Sequence, residues 1–285
     1  MGGAATVEID GLAIHVDVAS EGPPLVLLHG FTGASDTWRD LVGRLGGEYR
    51  TIAPDLVGHG RSEAPGAVAR YAIRRAAADL VALLRALGHE RAAWLGYSLG
   101  GRVALQVAAD HPQAVAALLL EGASPGIADE AEREARRSSD EALAGRIERD
   151  GVEAFVDEWE QVPLFASQRA LPAEARAAVR ATRLAQRAQG LANSLRGMGA
   201  GAQAPLHERL PSIAAPALLM AGSLDTKYMA IAREMARTLP DATIEVIEGA
   251  GHAAHLERPE AFVQVVRDFL RRAYTPVPPA HEAGG

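Results

Sequence analysis

The chain contains no cysteine in 285 residues. This absence excludes disulfides, thiol nucleophiles and cysteine-ligated zinc sites, and it fits a reducing compartment. No apolar run approaches the ~20 residues that span a bilayer. Residues 1–10 lack both the basic region and the apolar stretch of a secretory signal. We therefore expect a cytoplasmic protein without a membrane span.

Positively charged residues are fewer than negatively charged ones. Lys and Arg number 29 against 36 Asp and Glu, so the formal net charge is −7. This balance argues against nucleic acid or an acidic membrane surface as a partner. A hydrophobic fraction of 48% is ample for a large core. The sequence carries no sign of the oligomeric state.

Short apolar runs alternate with amphipathic stretches along most of the chain. An alternating polar and apolar pattern around Asp10-Gly11 predicts a hairpin of two half-exposed strands over residues 6–18. The later runs are apolar on both faces, as in buried parallel strands. We predict an α/β fold with a mostly parallel sheet and the antiparallel hairpin at one edge. Predicted strands cover 24–28, 49–53, 92–95, 115–120, 217–221 and 243–247, and predicted helices cover 73–87, 229–238 and 261–273.

Residues 125–205 contain no strand-like run and consist of charged, alanine-rich helical sequence. A helical insertion between two strands of a regular α/β sheet is typical of a cap over an active site. We predict a core of residues 1–124 and 206–275, a helical cap of residues 125–205 and a flexible tail of residues 276–285.

A G-x-S-x-G pattern at residues 96–100 follows an apolar run and precedes a helical stretch. A serine between glycines at a strand-to-helix corner is typical of a nucleophile elbow, because the tight corner leaves no room for larger side chains. Ser98 is thus the candidate reactive group.

A serine hydroxyl needs an imidazole to take its proton and an acid to hold that imidazole. Asp225 and His252 follow in the order expected for this motif, each after a predicted parallel strand. We predict a Ser98–His252–Asp225 triad. His255 lies one turn later, but no H-E-x-x-H pattern accompanies it, so we expect a structural role and no metal site.

Charge developing on a substrate oxygen needs fixed backbone donors. The Leu99 amide begins the helix after Ser98, where free amides and the helix dipole converge. The Phe31 amide lies in the glycine-rich loop after the first parallel strand. We predict that these two amides form an oxyanion hole, that His29 braces the loop, and that loop 55–62 is structural.

Arg102 follows Ser98 by one helical turn, and its side chain leans back toward the serine. A desolvated guanidinium needs a carboxylate or phosphate. Two readings stay open, namely an internal Asp or Glu and an anionic substrate. We expect most arginines of the predicted cap to be solvated or paired with glutamates at i,i+4, namely Arg133, Arg136, Arg137, Arg176, Arg180 and Arg183.

Nearly the whole chain resembles α/β-hydrolases. More narrowly, it resembles the MenH-type 2-succinyl-6-hydroxy-2,4-cyclohexadiene-1-carboxylate synthases of menaquinone biosynthesis. The matching motifs are GYSLGGR at 96–102, EGASPG at 121–126, an arginine-rich run at 132–140, Trp159 with PLFAS at 163–167, GLANSLRGMG at 190–199 and DTKY at 225–228.

This resemblance implies a cofactor-independent lyase that eliminates pyruvate from a small-molecule polycarboxylate. It implies that Ser98 acts as a general base toward a ring proton rather than as an acyl-forming nucleophile. Arg102, Arg136 and Arg183 would hold substrate carboxylates, while Tyr97 and Trp159 would line the pocket.

Two other functions remain as alternatives. A carboxylester or carbon–carbon bond hydrolase would use Ser98 as a nucleophile, but an apolar ester has no need of Arg102. A binding protein without catalysis would not require the Ser–Asp–His order or the loop at residues 29–33.

Overall fold

A computed structural model describes residues 3–274 of the chain. The predicted flexible tail of residues 276–285 lies outside the described residues. The strands are β1 (Gly3–Ile9), β2 (Leu12–Ala19), β3 (Pro24–Leu28), β4 (Arg50–Pro54), β5 (Ala92–Tyr97), β6 (Val115–Glu121), β7 (Ala217–Gly222) and β8 (Ala242–Ile247). The helices are α1 (Arg39–Leu45), α2 (Ile73–Ala86), α3 (Leu99–Asp110), α4 (Glu130–Trp159), α5 (Ala173–Leu184), α6 (Ala188–Met198), α7 (Thr226–Ala236), α8 (Ala254–Glu257) and α9 (Pro259–Tyr274).

The eight strands form one sheet in the order β1-β2-β4-β3-β5-β6-β7-β8. Pairing is antiparallel from β1 to β2 and from β2 to β4, and parallel elsewhere. The predicted α/β class, with a mostly parallel sheet and an antiparallel hairpin at one edge, is therefore confirmed.

The hairpin turns at Asp10 and Gly11, whose φ angles are 49° and 70°. Two consecutive residues with positive φ match the right-handed twist of the flanking strands. The prediction of two half-exposed strands was wrong. β1 is mostly exposed because it forms the edge, whereas β2 is mostly buried because β1 and β4 pair with it on both sides.

Both faces of the sheet are covered. Trp94 packs into the core beneath α2 and α3, and the next residue, Leu95, packs into the core beneath α1 and α9. Successive strand side chains point to opposite faces, so a strand buried on both sides reads as a continuous apolar run. This explains why the central strands were recognisable from sequence.

The helical segment, residues 125–205, connects β6 to β7 and contains α4, α5, α6 and short 3₁₀ turns but no strand. α4 bends at Gly151, where φ is 84°. Phe155, Leu191 and Leu195 belong to a separate apolar cluster inside this segment. Among the helices of residues 3–274, none is both long and apolar enough to cross a membrane.

Helix α7 begins three residues earlier than the sequence pattern predicts. The Asp225 carboxylate accepts a hydrogen bond from the Tyr228 amide at 3.2 Å and caps the helix. An N-cap satisfies amides that have no partner within the helix, so the first turn forms although it carries little apolar pattern.

Candidate active site

Ser98 lies at the corner between β5 and α3 with φ 50° and ψ −108°. A non-glycine residue with positive φ is strained and persists only where its surroundings enforce it. A Cβ on Gly96 would collide with the Gly100 carbonyl, and one on Gly100 would collide with the Leu28 carbonyl at the end of β3. The two glycines thus allow the tight corner and the close approach of α3 to β3.

Three side chains from the ends of different strands meet at this corner. His252 Nε2 lies 3.1 Å from Ser98 Oγ, and His252 Nδ1 lies 2.7 Å from Asp225 Oδ2. The imidazole and the aspartate are buried, while the serine is partly exposed. Because Nδ1 faces a carboxylate, Nε2 is the nitrogen positioned to accept the serine proton.

Asp225 performs two tasks with its two oxygens. Oδ1 caps α7, and Oδ2 contacts the His252 ring. The capping bond fixes the carboxylate, and the carboxylate in turn orients the imidazole. A structural cap and a hydrogen-bond partner for histidine therefore coincide in one residue.

The loop after β3 forms a tight turn in which the Gly33 amide donates to the Gly30 carbonyl at 3.0 Å. Thr32, the third residue of that turn, has a φ of 68°. The Phe31 amide is not used by the hydrogen bond that closes the turn. The Leu99 amide, as the first of α3, has no carbonyl to bond within its own helix. Both amides are available as donors, as the predicted oxyanion hole requires.

His29 holds this turn in place. Its Nδ1 contacts the Gly30 carbonyl at 2.8 Å, and its Nε2 accepts the Leu56 amide at 3.0 Å. One nitrogen must therefore donate and the other accept, which defines the neutral tautomer. Complete burial lowers the pKa of His29 and favours the same neutral form.

Loop 55–62 is held by the buried Asp55 carboxylate. Its oxygens accept the Ser35 amide at 2.6 Å and the Arg61 amide at 2.8 Å. A Cβ on Gly60 would collide with this carboxylate. These contacts fit the predicted structural role of the loop. The loop also supports the turn that carries Phe31, because its Leu56 amide donates to His29, which contacts that turn.

Arg102 is partly buried beside the serine corner and donates to Gln203 Oε1 at 2.9 Å. No carboxylate of residues 3–274 lies within 4 Å of its guanidinium. Burial lowers the pKa of Arg102 to about 10, so the group remains charged at neutral pH. Asp140 acts on Arg102 only as a more distant charge, so within residues 3–274 the internal Asp or Glu that was the alternative to an anionic substrate forms no direct ion pair with it.

Arg136 and Arg183 already have carboxylate partners. Arg136 Nε contacts Asp140 at 2.7 Å, and Arg183 Nη1 contacts Glu160 at 3.2 Å. Arg183 is buried and also lies over the Phe165 ring at 5.3 Å from the centroid. Neither guanidinium is as free for a ligand as that of Arg102.

Arg136, Arg137 and Arg176 are exposed, in agreement with the expectation of solvated arginines, but within residues 3–274 none of the six arginines pairs with a glutamate at i,i+4. Arg180 instead joins α5 to α4 through Asp157 at 2.6 Å and Glu160 at 2.8 Å. Tertiary packing places carboxylates of another helix nearer than those one turn away. The remaining partners are Asp140 for Arg136, Glu134 for Arg137 at i,i+3, and backbone carbonyls for Arg133 and Arg176.

Aromatic rings surround the histidine. Tyr97 and Tyr228 lie 5.3 and 4.6 Å from the His252 ring, measured between centroids, and Phe165 of the helical segment lies at 6.2 Å. Trp159 packs against Phe31 at 5.6 Å. Burial raises the pKa values of Tyr97 and Tyr228, so both remain protonated at neutral pH. The predicted residues Tyr97 and Trp159 thus lie beside the triad and the oxyanion turn, respectively.

Two cavities flank this group. One, of about 740 Å³, is lined by Phe31, Tyr97 and Arg183 among others. The second, of about 470 Å³, is lined by Arg136 and Tyr228 among others. Tyr97 lines the first cavity and Tyr228 the second, so each cavity is bordered by a ring that packs against His252, whereas Ser98, Asp225 and His252 line neither.

Several residues near the site were missed from sequence. Gln203 contacts Arg102 from 101 positions away, and Gln186 bridges two loops of the core from the helical segment. Neither glutamine stands out in the local pattern. Glu121 was detectable as a charged residue ending an apolar run. It is fully buried and contacts His255 Nδ1 at 2.8 Å.

His255 does not approach any metal-ligating set. Within residues 3–274, no group of three His, Cys, Asp or Glu side chains is placed to hold a metal ion. The His255 ring instead packs against Tyr97 at 4.7 Å and Trp38 at 4.9 Å. These contacts hold the Tyr97 ring in place beside Ser98.

The chain is similar to known proteins over most of its length. The family model of the alpha/beta hydrolase fold matches residues 23–259. A Bacillus subtilis (strain 168) protein, provisionally named 2-succinyl-6-hydroxy-2,4-cyclohexadiene-1-carboxylate synthase, is 42% identical over 89% of this chain and 93% of its own. A Salmonella paratyphi C protein with that name is 37% identical over 91% of this chain and 98% of its own.

Two solved structures share the arrangement. MenH from S. aureus has a TM-score of 0.88 and 33% identity, covering 91% of this chain and 99% of that one. A thermophilic esterase from Thermogutta terrifontis has a TM-score of 0.83 and 27% identity, covering 96% of this chain and 100% of that one. A similar backbone thus occurs in proteins with different names, so the fold alone does not assign the function.

Proposed function

The chain belongs to the α/β-hydrolase fold family, and we propose that it acts there as a 2-succinyl-6-hydroxy-2,4-cyclohexadiene-1-carboxylate synthase, a lyase of menaquinone biosynthesis. The proposed substrate is 2-succinyl-5-enolpyruvyl-6-hydroxy-3-cyclohexene-1-carboxylate, and the second product is pyruvate. The observation that carries this proposal is Arg102, a desolvated cation one turn after Ser98 that has no carboxylate of residues 3–274 within 4 Å. A substrate with three carboxylates supplies that partner. We propose a cytoplasmic location, which the cysteine-free sequence supports.

The proposed step is an elimination with Ser98 as general base. His252 accepts the serine proton, and Ser98 Oγ takes the ring proton next to the succinyl ketone. The electron pair of that C–H bond shifts through the ring double bond and breaks the C–O bond to the enolpyruvyl group, which leaves a 2,4-diene. The departing group is the enolate of pyruvate. Its methylene carbon takes the proton held by His252, which gives pyruvate, while Ser98 keeps the ring proton and is restored as a hydroxyl.

The amides of Phe31 and Leu99 would stabilise negative charge on the succinyl ketone oxygen while the proton leaves. Both lack hydrogen-bond partners within their own turn or helix, which supports this role. Because the amides are held by His29 and by α3, they need not reorganise during the reaction.

Arg102 would bind one carboxylate directly, with Arg136 and Arg183 supporting the others. Arg136 and Arg183 must share their guanidinium groups with Asp140 and Glu160 to do so. We therefore assign the main anion contact to Arg102. The aromatic side chains of Tyr97 and Trp159 would border the ring of the substrate.

Residues 125–205 would act as a cap on a core formed by residues 1–124 and 206–275. Phe165 of that segment stacks near His252, and Phe155 and Trp159 pack against Phe31. A cover of this kind excludes water from the reacting atoms and strengthens the electrostatic contacts within.

The test is a direct comparison of two activities. Purified protein is assayed for pyruvate release from the succinyl-enolpyruvyl cyclohexene substrate and for hydrolysis of short nitrophenyl esters, with Ser98→Ala as the control. We expect pyruvate release that the control abolishes. Rapid ester hydrolysis without pyruvate release would instead establish the hydrolase alternative.

The role of Ser98 needs a separate measurement. A general base forms no covalent intermediate, whereas a nucleophile forms an acyl-serine. Mass spectrometry of the protein quenched during turnover should show an unmodified Ser98 peptide. An adduct on that peptide with the mass of a substrate fragment would contradict the general-base role.

A further inference from the structure

Lys227 is the only lysine of the chain. The other 28 of the 29 basic residues counted as Lys or Arg are arginines. This single ammonium group lies two residues after Asp225 and directly before Tyr228, whose ring packs at a tilt against His252. Because all the remaining residues of this count are arginines, the single lysine is informative.

Its position does not serve the stability of the helix. Lys227 is the second residue of α7, where the helix dipole and the free amides repel a cation. No carboxylate of residues 3–274 lies within 4 Å of the ammonium. Its Nζ lies 5.9 Å from the centroid of the Tyr228 ring. An exposed cation at an unfavourable place is expected where a ligand compensates for it.

Lys227 lines the 470 Å³ cavity together with Arg136 and Tyr228. Two carboxylates, Glu132 and Glu234, also border this cavity, and Glu234 is directed toward Arg237 at 4.0 Å. Tyr228 forms the boundary between the cavity and the triad, since its ring lies 4.6 Å from that of His252. The cavity is therefore one aromatic ring away from His252, and it carries cations from both α4 and α7.

We propose that Lys227 is a specificity-determining residue whose ammonium binds a substrate carboxylate in this cavity, beside Arg136. This inference rests on the proposed function, because it assigns a second of the three substrate carboxylates. An ammonium is a compact charge on a flexible stem, whereas a guanidinium needs a fixed bidentate geometry. Lysine thus suits an exposed cavity rim where the carboxylate arrives from solvent.

The kinetic test compares Lys227→Met with Lys227→Arg. We expect the methionine variant to raise KM for the polycarboxylate about five- to tenfold, the scale of one charge-assisted contact at an exposed site. The arginine variant keeps the charge and should recover most of that loss. Arg233→Met is the matched control, because Arg233 is an exposed cation of α7 that does not line the cavity.

Glu132→Gln distinguishes ligand binding from an internal ion pair. If Lys227 binds the substrate, removing a nearby negative charge leaves KM unchanged or lowers it. If Glu132→Gln raises KM as Lys227→Met does, the lysine acts as a partner of Glu132, and the proposal is overturned.

The thermal unfolding midpoint of Lys227→Met separates substrate binding from a purely structural role, because the two roles change that midpoint in opposite directions. Loss of the cation from the first turn of α7 should leave the unfolding midpoint of Lys227→Met unchanged or raise it by about 1–3 °C. A lowered midpoint together with an unchanged KM would mean that Lys227 stabilises the fold, which would contradict the proposal.

Chemical labelling tests the site without any turnover. Trinitrobenzenesulfonate modifies amines, so Lys227 and the N-terminus are the only targets, and peptide mass spectrometry separates them. Succinate should slow modification of Lys227, whereas the uncharged succinamide should not. Protection by succinate in a protein that releases no pyruvate would retain the anion site while refuting the proposed reaction. Equal labelling rates with and without succinate would overturn the site itself.

Discussion

Arg102 illustrates how burial removes the solvation of a single charged side chain without placing a carboxylate of residues 3–274 within 4 Å of it. Its guanidinium contacts the neutral Gln203 amide, and burial lowers its pKa to about 10. A buried cation without a counter-ion destabilises the fold, because desolvation is not offset by a charge partner. Under the proposed function, a substrate carboxylate would supply the direct partner that Arg102 lacks.

We expect Arg102→Ala to impair turnover severely while the protein remains folded. Loss of a charge-assisted contact made beside the reacting atoms should lower kcat/KM about 10²- to 10³-fold. The free energy of unfolding should change by less than about 1 kcal/mol, since the lost apolar contacts are offset by relief of the desolvated charge. Pyruvate-release kinetics and urea unfolding measure the two effects.

Arg102→Lys is the informative companion variant. It retains a cation but loses the fork geometry, so partial activity is expected. If the alanine variant kept normal kinetics and lost stability instead, Arg102 would be a structural partner of Gln203 and not an anion-binding residue.

At the scale of elements, the junction between α5 and α6 connects the helical segment to the core through hydrogen bonds of Gln186. Gln186 Oε1 accepts the Gly60 amide at 3.0 Å, and Nε2 donates to the Gly33 carbonyl at 3.1 Å. Gly33 closes the turn that presents the Phe31 amide. One buried side chain thereby joins the segment to the oxyanion turn and to loop 55–62.

We expect Gln186→Ala to loosen the oxyanion turn. Without the amide, the Gly60 N–H loses a buried partner, which should lower the free energy of unfolding by about 1–3 kcal/mol. A less rigid Phe31 amide should lower kcat about 5- to 20-fold with little change in KM, because preorganised donors act in the transition state. Steady-state kinetics with urea unfolding provide the measurement.

Gln189→Ala is the control for that experiment, since Gln189 is an exposed glutamine at the start of α6. It should leave both quantities unchanged. A Gln186→Ala protein with normal kcat would show that the turn holds its geometry through His29 alone.

At the scale of the whole molecule, two completely buried histidines link stability to pH. Burial, aided by the neighbouring His29, lowers the pKa of His59 to about 3, and burial also lowers the pKa of His29. In the unfolded chain, histidine titrates near 6.5. Below that pH the unfolded state binds protons that the folded state rejects, so stability is complete above pH 6.5 and is lost as the pH falls.

We expect the free energy of unfolding to decline between pH 7 and pH 5, before most carboxylates titrate. His59 alone should contribute a slope of about 1 kcal/mol per pH unit near pH 5.5. In His59→Asn this part of the slope should disappear. Urea unfolding at half-unit pH intervals measures it, and identical slopes for the two proteins would contradict the neutral burial of His59.

Local sequence accounted for much of the sheet and for the order of the triad. Strands buried on both faces carry continuous apolar runs, and a corner as tight as that at Ser98 admits only small neighbours, so short windows of sequence suffice. The same reasoning put Asp225 and His252 at the ends of strands. The strands and the corner at Ser98 depend on neighbouring residues in the chain and on which side chains face the core. A few consecutive residues encode both of these properties.

The partners of the arginines came from the packing of distant segments. Gln203 reaches Arg102 across 101 positions, and Glu160 reaches Arg183 across 23. Such pairs form only after the parallel crossovers and the helical segment have brought separate elements together, so no local periodicity encodes them. The sequence by itself determined which serine, aspartate and histidine follow strands in the order of a triad, while the tertiary fold determined that Arg102, alone among the three predicted anion-binding arginines, has no carboxylate within 4 Å in residues 3–274.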